Sequence, residues 1–560
     1  MTATSIDALA LIGAEQAAHH RRQGWWRDRT YLDDFDDAVR ARPDKVAIVC
    51  HRADAPDHVE TLSYRQLDRF VRRFAAALVE LGVQPGQVVS VQLPNTWTFA
   101  ALALACGRIG AIVNPLVPIF RERELGFILG RTESPVVIVP GTFRGYDHAA
   151  MLDRVLADLP DGTRGFAVGA GAPTGRVQPF EDHFVARRWE TEVDPARLWE
   201  QRIGPDDLAE LQFTSGTTGE PKGVMHTPNT IEAGTRAFSE TVGLTAEDSI
   251  IMPSTLAHQT GFLVGIILPL AMGMKVVYQD VWDAETFCRL VDDEAISFSA
   301  GATPFLTDIV AACQRRGRRL ASMRSYLCAG APIPSPLVQA TLDDAADVLI
   351  ALWGMTENGG VTLTRPGDPV ELVADSDGVP VPWMQVRIVD DAGVEVPVDG
   401  VGRLLVRGAS QTIGYFKRPD LYEAQLSPAD DGGAPWFDTG DLARRRPDGG
   451  IRIAGRTKDL VIRGGENVPV VEVEAVLFGH PKVREVAVIG YPDDRLGERA
   501  CAVVVADPDA GPVELGELTA WLDRAGMAKQ FWPERLELVD AMPKTPSGKI
   551  QKFALRERFS

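Results

Sequence analysis

A loop of hydroxyls, glycines and one lysine stands at Thr214–Gly223, where the chain reads Thr-Ser-Gly-Thr-Thr-Gly-Glu-Pro-Lys-Gly. Glycines let the backbone turn several N–H groups toward one anion, while the hydroxyls and the Lys222 ammonium add further donors. The spacing differs from the pattern in which a glycine, four residues and Gly-Lys-Ser/Thr lead into a helix. A surface turn explains the composition equally well if the loop stands alone, but its chemistry suits a polyphosphate. The candidate phosphate-binding residues are Thr214, Ser215, Gly216, Thr217, Thr218 and Lys222.

An aromatic residue, a glycine and a Thr-Glu pair follow one another in Leu352–Asn358. This arrangement would stack adenine on Trp353, offer the Thr356 hydroxyl to an α-phosphate and place the Glu357 carboxylate on Mg²⁺. Magnesium takes one or two carboxylates together with phosphate oxygens, so one glutamate is chemically sufficient. Without the other motifs, an aromatic core residue beside a solvated glutamate is the simpler interpretation.

Two further segments supply groups that suit a nucleoside. Asp441 can accept hydrogen bonds from both hydroxyls of a ribose, and Arg456, fifteen residues further on, can reach the ribose or the α-phosphate. The small residues of Cys328–Pro332 let a flat ring approach the backbone. Each segment, taken alone, is equally typical of a routine turn or a surface arginine. The candidates beside the ring are Gly330, Ala331 and Pro332.

A lysine on a glycine-containing loop ends the series, at Pro543–Lys549. In this order, and over nearly the whole chain, the motifs resemble those of the AMP-forming acyl-adenylating superfamily: acyl-CoA synthetases, firefly-type luciferases and peptide-synthetase adenylation domains. The resemblance implies ATP, Mg²⁺ and CoA as substrates and cofactors. It identifies Lys549 as the mobile catalytic lysine, whose charge stabilises the α-phosphate and the attacking carboxylate as they meet. The family tends to carry tyrosine where Trp353 stands, so stacking is retained here and a phenolic hydroxyl is lost.

The pattern of the chain predicts an α/β fold with more than one domain, because 560 residues exceed what one core supports. Helical stretches such as Leu67–Gly82 alternate with short buried runs such as Val88–Leu93 and Val136–Val139. Helices between buried strands predict βαβ units and therefore parallel or mixed sheets.

Near residue 400 the pattern changes. Val386–Asp390 and Gly402–Arg407 alternate apolar and polar side chains, as half-exposed antiparallel strands do. A second unit begins around Gly455–Asp459. We expect a large N-terminal domain of layered sheets with a small β-barrel-like part at residues 1–456, a hinge at 457–458, and a small mobile α+β domain at 459–560.

Three fates compete for an acyl adenylate in the resembling superfamily: transfer to coenzyme A, transfer to a carrier protein, and oxidation with light emission. Asp459–Asn467 resembles the Gly-Gly-Glu-Asn version found in acyl- and aryl-CoA synthetases. In those enzymes the paired glycines, which correspond to Gly464 and Gly465 here, line the tunnel for pantetheine, and a side chain at either position would obstruct it. The resemblance also implies that the small domain rotates about Lys458 between half-reactions and withdraws Lys549. These residues favour an acid–CoA ligase.

The segment Pro253–Gly261 carries no acidic residue, which argues against activation of an amino acid. His258 matches the family's histidine beside the carboxylate and thioester channel, although a buried, satisfied histidine is equally consistent with the sequence. Small and apolar pocket residues predict a hydrophobic monocarboxylic acid, and Arg463–Glu472 looks most like synthetases for cyclohexanecarboxylate and short- or medium-chain fatty acids. The resemblance gives Lys549, His258 and Thr356 as catalytic residues, and Thr260, Gly261, Gly301 and Thr303 as acyl-pocket residues.

Other functions stay open at this level. A CoA ligase for an aryl or long-chain acid and an acyl-AMP ligase that loads a carrier protein are the alternatives within the superfamily. A sensor of nucleotide or acyl-CoA without catalysis is disfavoured, because the residues needed for chemistry are all present. Those residues are Thr217, Lys222, Glu357, Asp441 and Lys549.

The net charge and the cysteine content exclude some classes of binding partner and site. A formal charge of −19 argues against nucleic acid or an anionic membrane, and six cysteines without a CxxC pair suggest neither a disulfide framework nor a zinc site. The N-terminus lacks a signal pattern, and Phe262–Met274 is too short for a membrane span, so we expect a cytoplasmic enzyme. The oligomeric state stays open, a homodimer included. The resemblance implies that a lysine acetyltransferase and a deacetylase control Lys549; the alternative is that its loop is shaped only for catalysis and is never modified.

Overall fold

The computed structural model describes residues 11–160, 162–214, 221–331, 333–431, 433–463, 466–493, 495–508, 510–545 and 549–559. Helices cover the faces of four main sheets. The α-helices are Ala14–Arg22, Tyr31–Ala41, Tyr64–Glu80, Trp97–Arg108, Glu122–Thr132, His148–Ala157, Pro195–Glu200, Pro228–Val242, Gln259–Phe262, Leu268–Met272, Ala284–Asp293, Thr303–Arg316, Ser335–Asp344, Val370–Asp375, Pro419–Glu423, Val470–Phe478, Leu515–Arg524 and Lys552–Phe559. Single turns of 3₁₀-helix are Trp189–Thr191, Thr457–Asp459 and Lys529–Phe531, and Glu181–Val185 and Leu263–Ile267 are π-helical.

A nine-stranded mixed sheet, here the first sheet, forms one layer of the N-terminal part. Its inner strands are parallel and its outer strands are antiparallel. In spatial order the strands are Val379–Pro380, Gly359–Leu363, Val348–Met355, Ser325–Ala329, Phe298–Ala302, Ser249–Met252, Lys275–Gln279, Val46–Arg52 and Ala55–Ser63.

A seven-stranded sheet, here the second sheet, forms the other layer. All its neighbours are parallel except one terminal pair, which flanks the predicted phosphate loop. In spatial order the strands are Lys222–His226, Glu210–Thr214, Ile112–Pro115, Val88–Val91, Val136–Pro140, Arg164–Val168 and Val177–Pro179. A separate hairpin pairs Thr142–Phe143 with Tyr146–Asp147.

Two smaller five-stranded sheets follow. One is antiparallel and consists of Met384–Val389, Val401–Gly408, Trp436–Arg445, Leu426–Ser427 and Ile451–Arg456. The other belongs to the C-terminal part and consists of Glu466–Val468, Val461–Arg463, Gly497–Ala506, Val483–Asp493 and Arg535–Leu538.

The largest core lies between the first two sheets. Two helices, Tyr64–Glu80 and Trp97–Arg108, fill it with side chains such as Phe74 and Phe99, both fully buried. The first of these helices begins with a capping box, in which the Ser63 hydroxyl accepts from the Gln66 N–H and the Gln66 side chain accepts from the Ser63 N–H. The parallel order of the inner strands places the carboxyl ends of several strands at one edge of the first sheet.

The predicted α/β fold is confirmed: a large N-terminal part of mixed sheets, a small antiparallel β part and a smaller α+β part follow one another. The helix expected at Leu67–Gly82 spans Tyr64–Glu80, and Ser63 rather than the apolar pattern sets its start. The antiparallel strands expected near residue 400 are Met384–Val389 and Val401–Gly408. Among the described residues, no helix combines the length and the apolar content that crossing a bilayer requires.

Candidate active site

Three neighbouring parallel strands of the first sheet end side by side. They are Phe298–Ala302, Ser325–Ala329 and Val348–Met355, and a predicted site residue follows or ends each of them. The carboxyl ends of parallel strands meet at one edge of a sheet, which is the usual place for a ligand in an open α/β fold. The residues gathered at this edge are Thr303, Gly330, Ala331, Thr356 and Glu357.

Asp441 lies on the strand Trp436–Arg445, opposite Arg456 on the next strand of the hairpin. Asp441 is 7% exposed, and two donors hold its carboxylate: Nε of Arg456 lies 3.0 Å from Oδ1, and the indole N–H of Trp353 lies 2.9 Å from Oδ2. Each carboxylate oxygen keeps a second lone pair, so both can still accept a ribose hydroxyl. The sequence predicted stacking for Trp353; the hydrogen bond to Asp441 is an additional contact.

Lys549 reaches this site from the C-terminal part of the chain. Its Cε lies 3.1 Å from where a side-chain Cβ would stand at Gly330, whose φ is +87°. Burial, and then the charge of Arg456, lower the pKa of the Lys549 ammonium, while the carboxylates of Asp441 and Glu357 oppose that shift. Gly330 therefore provides the space that the lysine side chain crosses, and the lysine shares one electrostatic environment with the predicted ribose and metal ligands.

The two ends of the predicted phosphate loop are held together, because Thr214 and Lys222 are opposite each other on antiparallel strands. Burial lowers the pKa of the Lys222 ammonium, and the carboxylate of Glu357 partly opposes the shift. Glu357 accepts a hydrogen bond of 2.7 Å at Oε1 from the Tyr415 hydroxyl, and Lys222 Nζ lies 4.8 Å from the centroid of the Tyr415 ring. One aromatic side chain thus contacts both charged groups.

Sequence reasoning missed two residues of this region. The first is Tyr415, and the second is His226, whose Nε2 lies 2.8 Å from the carbonyl oxygen of Thr356 and donates to it. Burial lowers the pKa of His226 to about 4, so the imidazole is neutral and links the strand after the phosphate loop to the Thr356–Glu357 turn. Two sequence features could have indicated these residues. One is the periodicity that marks 226 as a buried strand position, and the other is the Gly-Tyr pair at 414–415.

His258 caps the short helix Gln259–Phe262, where its Nδ1 accepts the N–H of Thr260 at 3.4 Å. Burial, and then the charge of Lys549, lower the pKa of His258 to about 4. A neutral ring whose Nδ1 is an acceptor carries its proton on Nε2. His258 can therefore donate a hydrogen bond to a carboxylate oxygen, but it is not a proton donor in the imidazolium form at neutral pH.

The predicted acyl-pocket residues have local reasons for their types. A Cβ at Gly261 would lie 1.9 Å from the carbonyl oxygen of Thr255, and one at Gly301 would lie 2.5 Å from the Tyr326 hydroxyl. The Thr303 hydroxyl donates to the carbonyl oxygen of Ala331 at 3.1 Å. Thr260 is half-buried on the helix that His258 caps. Packing thus explains the two glycines, and the lining of the pocket stays a prediction.

Several predicted residues lie outside the described part of the chain. They are Ser215, Gly216, Thr217, Thr218, Pro332, Gly464 and Gly465. Lys458 lies in the 3₁₀ turn Thr457–Asp459 that follows Arg456, and its charge contributes to the lowered pKa of Lys222. The hinge role of Lys458 stays a prediction.

The donor set fits a magnesium ion that is held mainly by a substrate. In the described ranges, no three His, Cys, Asp or Glu side chains group into a metal site. Glu357 offers one carboxylate, and within those ranges only its Oε1 has a hydrogen-bond donor. Magnesium keeps several waters and takes one or two carboxylates with phosphate oxygens, which a single glutamate beside a phosphate site satisfies.

Known proteins resemble this chain over nearly its whole length. The family model "AMP-binding enzyme" matches residues 35–416, and "AMP-binding enzyme C-terminal domain" matches residues 472–549. The medium-chain fatty-acid–CoA ligase of Escherichia coli K12 is 32% identical over 99% of this chain and 94% of its own length. The salicyl-AMP ligase / salicyl-S-ArCP synthetase of Mycobacterium tuberculosis is also 32% identical, over 97% of this chain and 93% of its own.

Among solved structures, the anthranilate CoA ligase AuaEII in complex with anthranoyl-AMP superposes with a TM-score of 0.83 at 25% identity, covering 95% of this chain and 97% of that one. The similarity extends over both the large and the small part of the fold.

Proposed function

The chain belongs to the AMP-binding enzyme family, and we propose that it is an acid–CoA ligase that activates a hydrophobic monocarboxylic acid with ATP and transfers the acyl group to coenzyme A. The observation that carries this proposal is the position of Lys549, which comes from the far end of the chain and lies against Gly330, in the electrostatic field of Asp441, Arg456 and Glu357. A lysine in that place serves the first half-reaction.

In the adenylation step, a carboxylate oxygen of the acid attacks the α-phosphorus of ATP, and the bond to the bridging oxygen of pyrophosphate breaks. Lys549 lies where both the attacking carboxylate and the α-phosphate gather negative charge, and a pre-placed cation stabilises that charge in the transition state. Asp441 binds the ribose hydroxyls, and Nε2–H of His258 orients the carboxylate. Glu357 would hold Mg²⁺, which when bound would supply positive charge beside the leaving pyrophosphate.

In the second step, the thiol sulfur of CoA attacks the acyl carbon, the bond from that carbon to the AMP oxygen breaks, and the thiol proton leaves to solvent or base. We propose that the small domain rotates about residues 457–458, which withdraws Lys549 and brings Gly464 and Gly465 to the acyl adenylate. The short connection Thr457–Asp459 between the antiparallel sheet and the C-terminal part supports this, since few backbone torsions need to change.

The acid is proposed to be alicyclic or a short- to medium-chain fatty acid. Support comes from the small and apolar residue types around His258 and from the match to the medium-chain fatty-acid–CoA ligase of Escherichia coli. A second candidate is an aryl-acid ligase that loads a carrier protein. It is favoured by one observation, the equal identity of the salicyl-AMP ligase / salicyl-S-ArCP synthetase of Mycobacterium tuberculosis.

A panel of acids tests both candidates. Pyrophosphate release is measured with ATP, Mg²⁺ and each of hexanoate, octanoate, cyclohexanecarboxylate, benzoate and salicylate, and thioester formation is then measured with CoA and with a phosphopantetheinylated carrier protein. The proposal expects release with the alkanoates or cyclohexanecarboxylate and thioester only with CoA. Release with salicylate and loading of the carrier protein would support the second candidate, and no release with any acid would refute both.

Control by acetylation of Lys549 belongs to the same proposal. Acetylation removes the charge that stabilises the adenylation transition state, so a single modification stops the first half-reaction. Because Lys549 lies against Gly330, the modifying enzyme needs the C-terminal part to move away first. Mass spectrometry after incubation with a lysine acetyltransferase tests this: full adenylation activity with Lys549 quantitatively acetylated would overturn it.

A further inference from the structure

Tyr415 lies between the two charged groups of the polyphosphate side of the site. The residue is 3% exposed, and its backbone pairs with Val224 on the strand that begins at Lys222. Its hydroxyl donates to Oε1 of Glu357 at 2.7 Å, and its ring faces the Lys222 ammonium, whose Nζ lies 4.8 Å from the ring centroid. A ring at this distance attracts an ammonium through its quadrupole.

Hydrogen bonds from the surrounding segment fix Tyr415 to both neighbours. The N–H of Thr412 donates to the carbonyl oxygen of Glu357 at 2.6 Å, and the N–H of Phe416 donates to that of Gly223 at 2.7 Å. Tyr422 packs edge-on against the Tyr415 ring at 5.8 Å, and its hydroxyl donates to the carbonyl oxygen of Thr412. The segment 412–422 therefore holds the glutamate and the residue after the lysine in one rigid frame.

The consequence is a separation of opposite charges. Within the described residues, Lys222 and Glu357 form no ion pair, although the Glu357 carboxylate acts to raise the pKa of the Lys222 ammonium, against the larger lowering by burial. A direct ion pair would occupy the ammonium and the carboxylate with each other. With Tyr415 between them, the ammonium has no carboxylate partner and Oε2 has no donor among the residues that the structure describes, which leaves one for phosphate oxygens and the other for a metal ion.

We propose that Tyr415 is a positioning residue that keeps Lys222 and Glu357 apart, so that one binds the polyphosphate of ATP and the other its Mg²⁺. The inference rests on the proposed function in so far as it takes ATP–Mg²⁺ as the ligand. According to this proposal, the Tyr415 hydroxyl positions Glu357 for the metal ion, and the Tyr415 ring positions Lys222 for the phosphates. The two roles are separable by substitution.

The test is equilibrium binding of ATP by the full chain, measured by isothermal titration at a series of Mg²⁺ concentrations and in excess EDTA, without acid or CoA. Tyr415→Phe keeps the ring and removes the hydroxyl. We therefore expect the Mg²⁺ concentration that gives half of the maximal increase in ATP affinity to rise about tenfold, the size expected for one lost hydrogen bond to a charged group. Binding in EDTA should stay unchanged. Tyr415→Leu also removes the ring, so binding in EDTA should weaken by about threefold.

Tyr146→Phe is the matched control, because it removes a tyrosine hydroxyl that also donates to a carboxylate, that of Glu122, in a segment that takes no part in the site. It should leave the Mg²⁺ dependence as in the wild type. In a Glu357→Gln background, Tyr415→Phe should have no further effect on that dependence. This double-mutant comparison also decides the matter if Tyr415→Phe alone loses thermal stability.

The inference would be overturned if the Mg²⁺ dependence of Tyr415→Phe lay within twofold of that of the wild type and of Tyr146→Phe. It would also be overturned if Tyr415→Phe had an equal effect in the Glu357→Gln background. Failure of the proposed function is a different result: ATP–Mg²⁺ would bind as expected, but no acid would give pyrophosphate. Binding is measured without acid, so the two failures are told apart.

Discussion

Replacement of Trp353 by phenylalanine tests how the nucleotide site is organised. The phenyl ring keeps an aromatic surface for adenine, but the indole N–H that lies 2.9 Å from Oδ2 of Asp441 is lost. Asp441 then keeps Arg456 as its donor from the side of Oδ1. The carboxylate is held on one side only, and its contact with the ribose hydroxyls should weaken.

The magnitude follows from the type of hydrogen bond. A hydrogen bond to a charged group contributes about 1.5–3 kcal/mol to stability or binding. Because Arg456 still holds Asp441, we take the lower bound, about 1.5 kcal/mol, which corresponds to a roughly tenfold loss of kcat/KM for ATP. The loss should appear mainly in the part of ATP binding that depends on the ribose.

The assay compares kcat/KM for ATP, 2′-deoxy-ATP and 3′-deoxy-ATP through pyrophosphate release. In the wild type, removal of a ribose hydroxyl should lower kcat/KM by about tenfold, since it removes one hydrogen bond to a charged group. In Trp353→Phe the value for ATP should be low already and the further loss with the deoxynucleotides small. Trp189→Phe is the control, because it removes an indole N–H that donates to the carbonyl oxygen of His183.

Two results would contradict this reasoning. One is a Trp353→Phe enzyme with wild-type kcat/KM for ATP, and the other is an undiminished loss with the deoxynucleotides. Either would mean that the hydrogen bond from Trp353 does not position Asp441 for the ribose.

Three further predictions concern other residues. Lys549→Ala should lower the rate of adenylation by about 10²–10³-fold and leave thioester formation from a supplied acyl adenylate nearly unchanged; equal losses in both would assign Lys549 a structural role. Gly465→Leu should give the opposite result, with pyrophosphate release retained and acyl-CoA formation lost, and a parallel fall in both would refute the tunnel assignment. Burial raises the pKa of the Glu210 carboxyl to about 8, so the folded state retains a proton that the unfolded state has lost. Glu210 therefore contributes a fall of about 1.4 kcal/mol per pH unit to the free energy of unfolding between its unfolded and its folded pKa, in addition to the slopes from other buried groups such as Glu232 and His226. Glu210→Gln should remove this contribution in chemical denaturation at pH 5, 6 and 7; an unchanged slope would mean that Glu210 is not the group responsible.

The sequence alone determined the fold class, and it named most residues of the proposed nucleotide site. Periodicity predicted a helix at Leu67–Gly82, which the structure has at Tyr64–Glu80, and antiparallel strands near residue 400, because burial on one face makes apolar residues recur at fixed spacing. The site residues were recognisable because the loop Thr214–Gly223 and the segment Leu352–Asn358 carry their chemistry in consecutive residues. Residues that act together can be identified from the sequence when they are neighbours in the chain.

Only the tertiary structure decided how those segments meet. The indole N–H of Trp353 donates to Asp441, which is 88 positions away in the sequence, and the Tyr415 hydroxyl donates to Glu357, which is 58 positions away. Their partners depend on the order of strands in the sheets and on the path of residues 408–416 across the phosphate side of the site. The neutral state of His258 likewise follows from burial and from the approach of Lys549, neither of which a local pattern encodes. Sequence patterns report the periodic burial of single elements, whereas contacts between distant side chains exist only after those elements have packed.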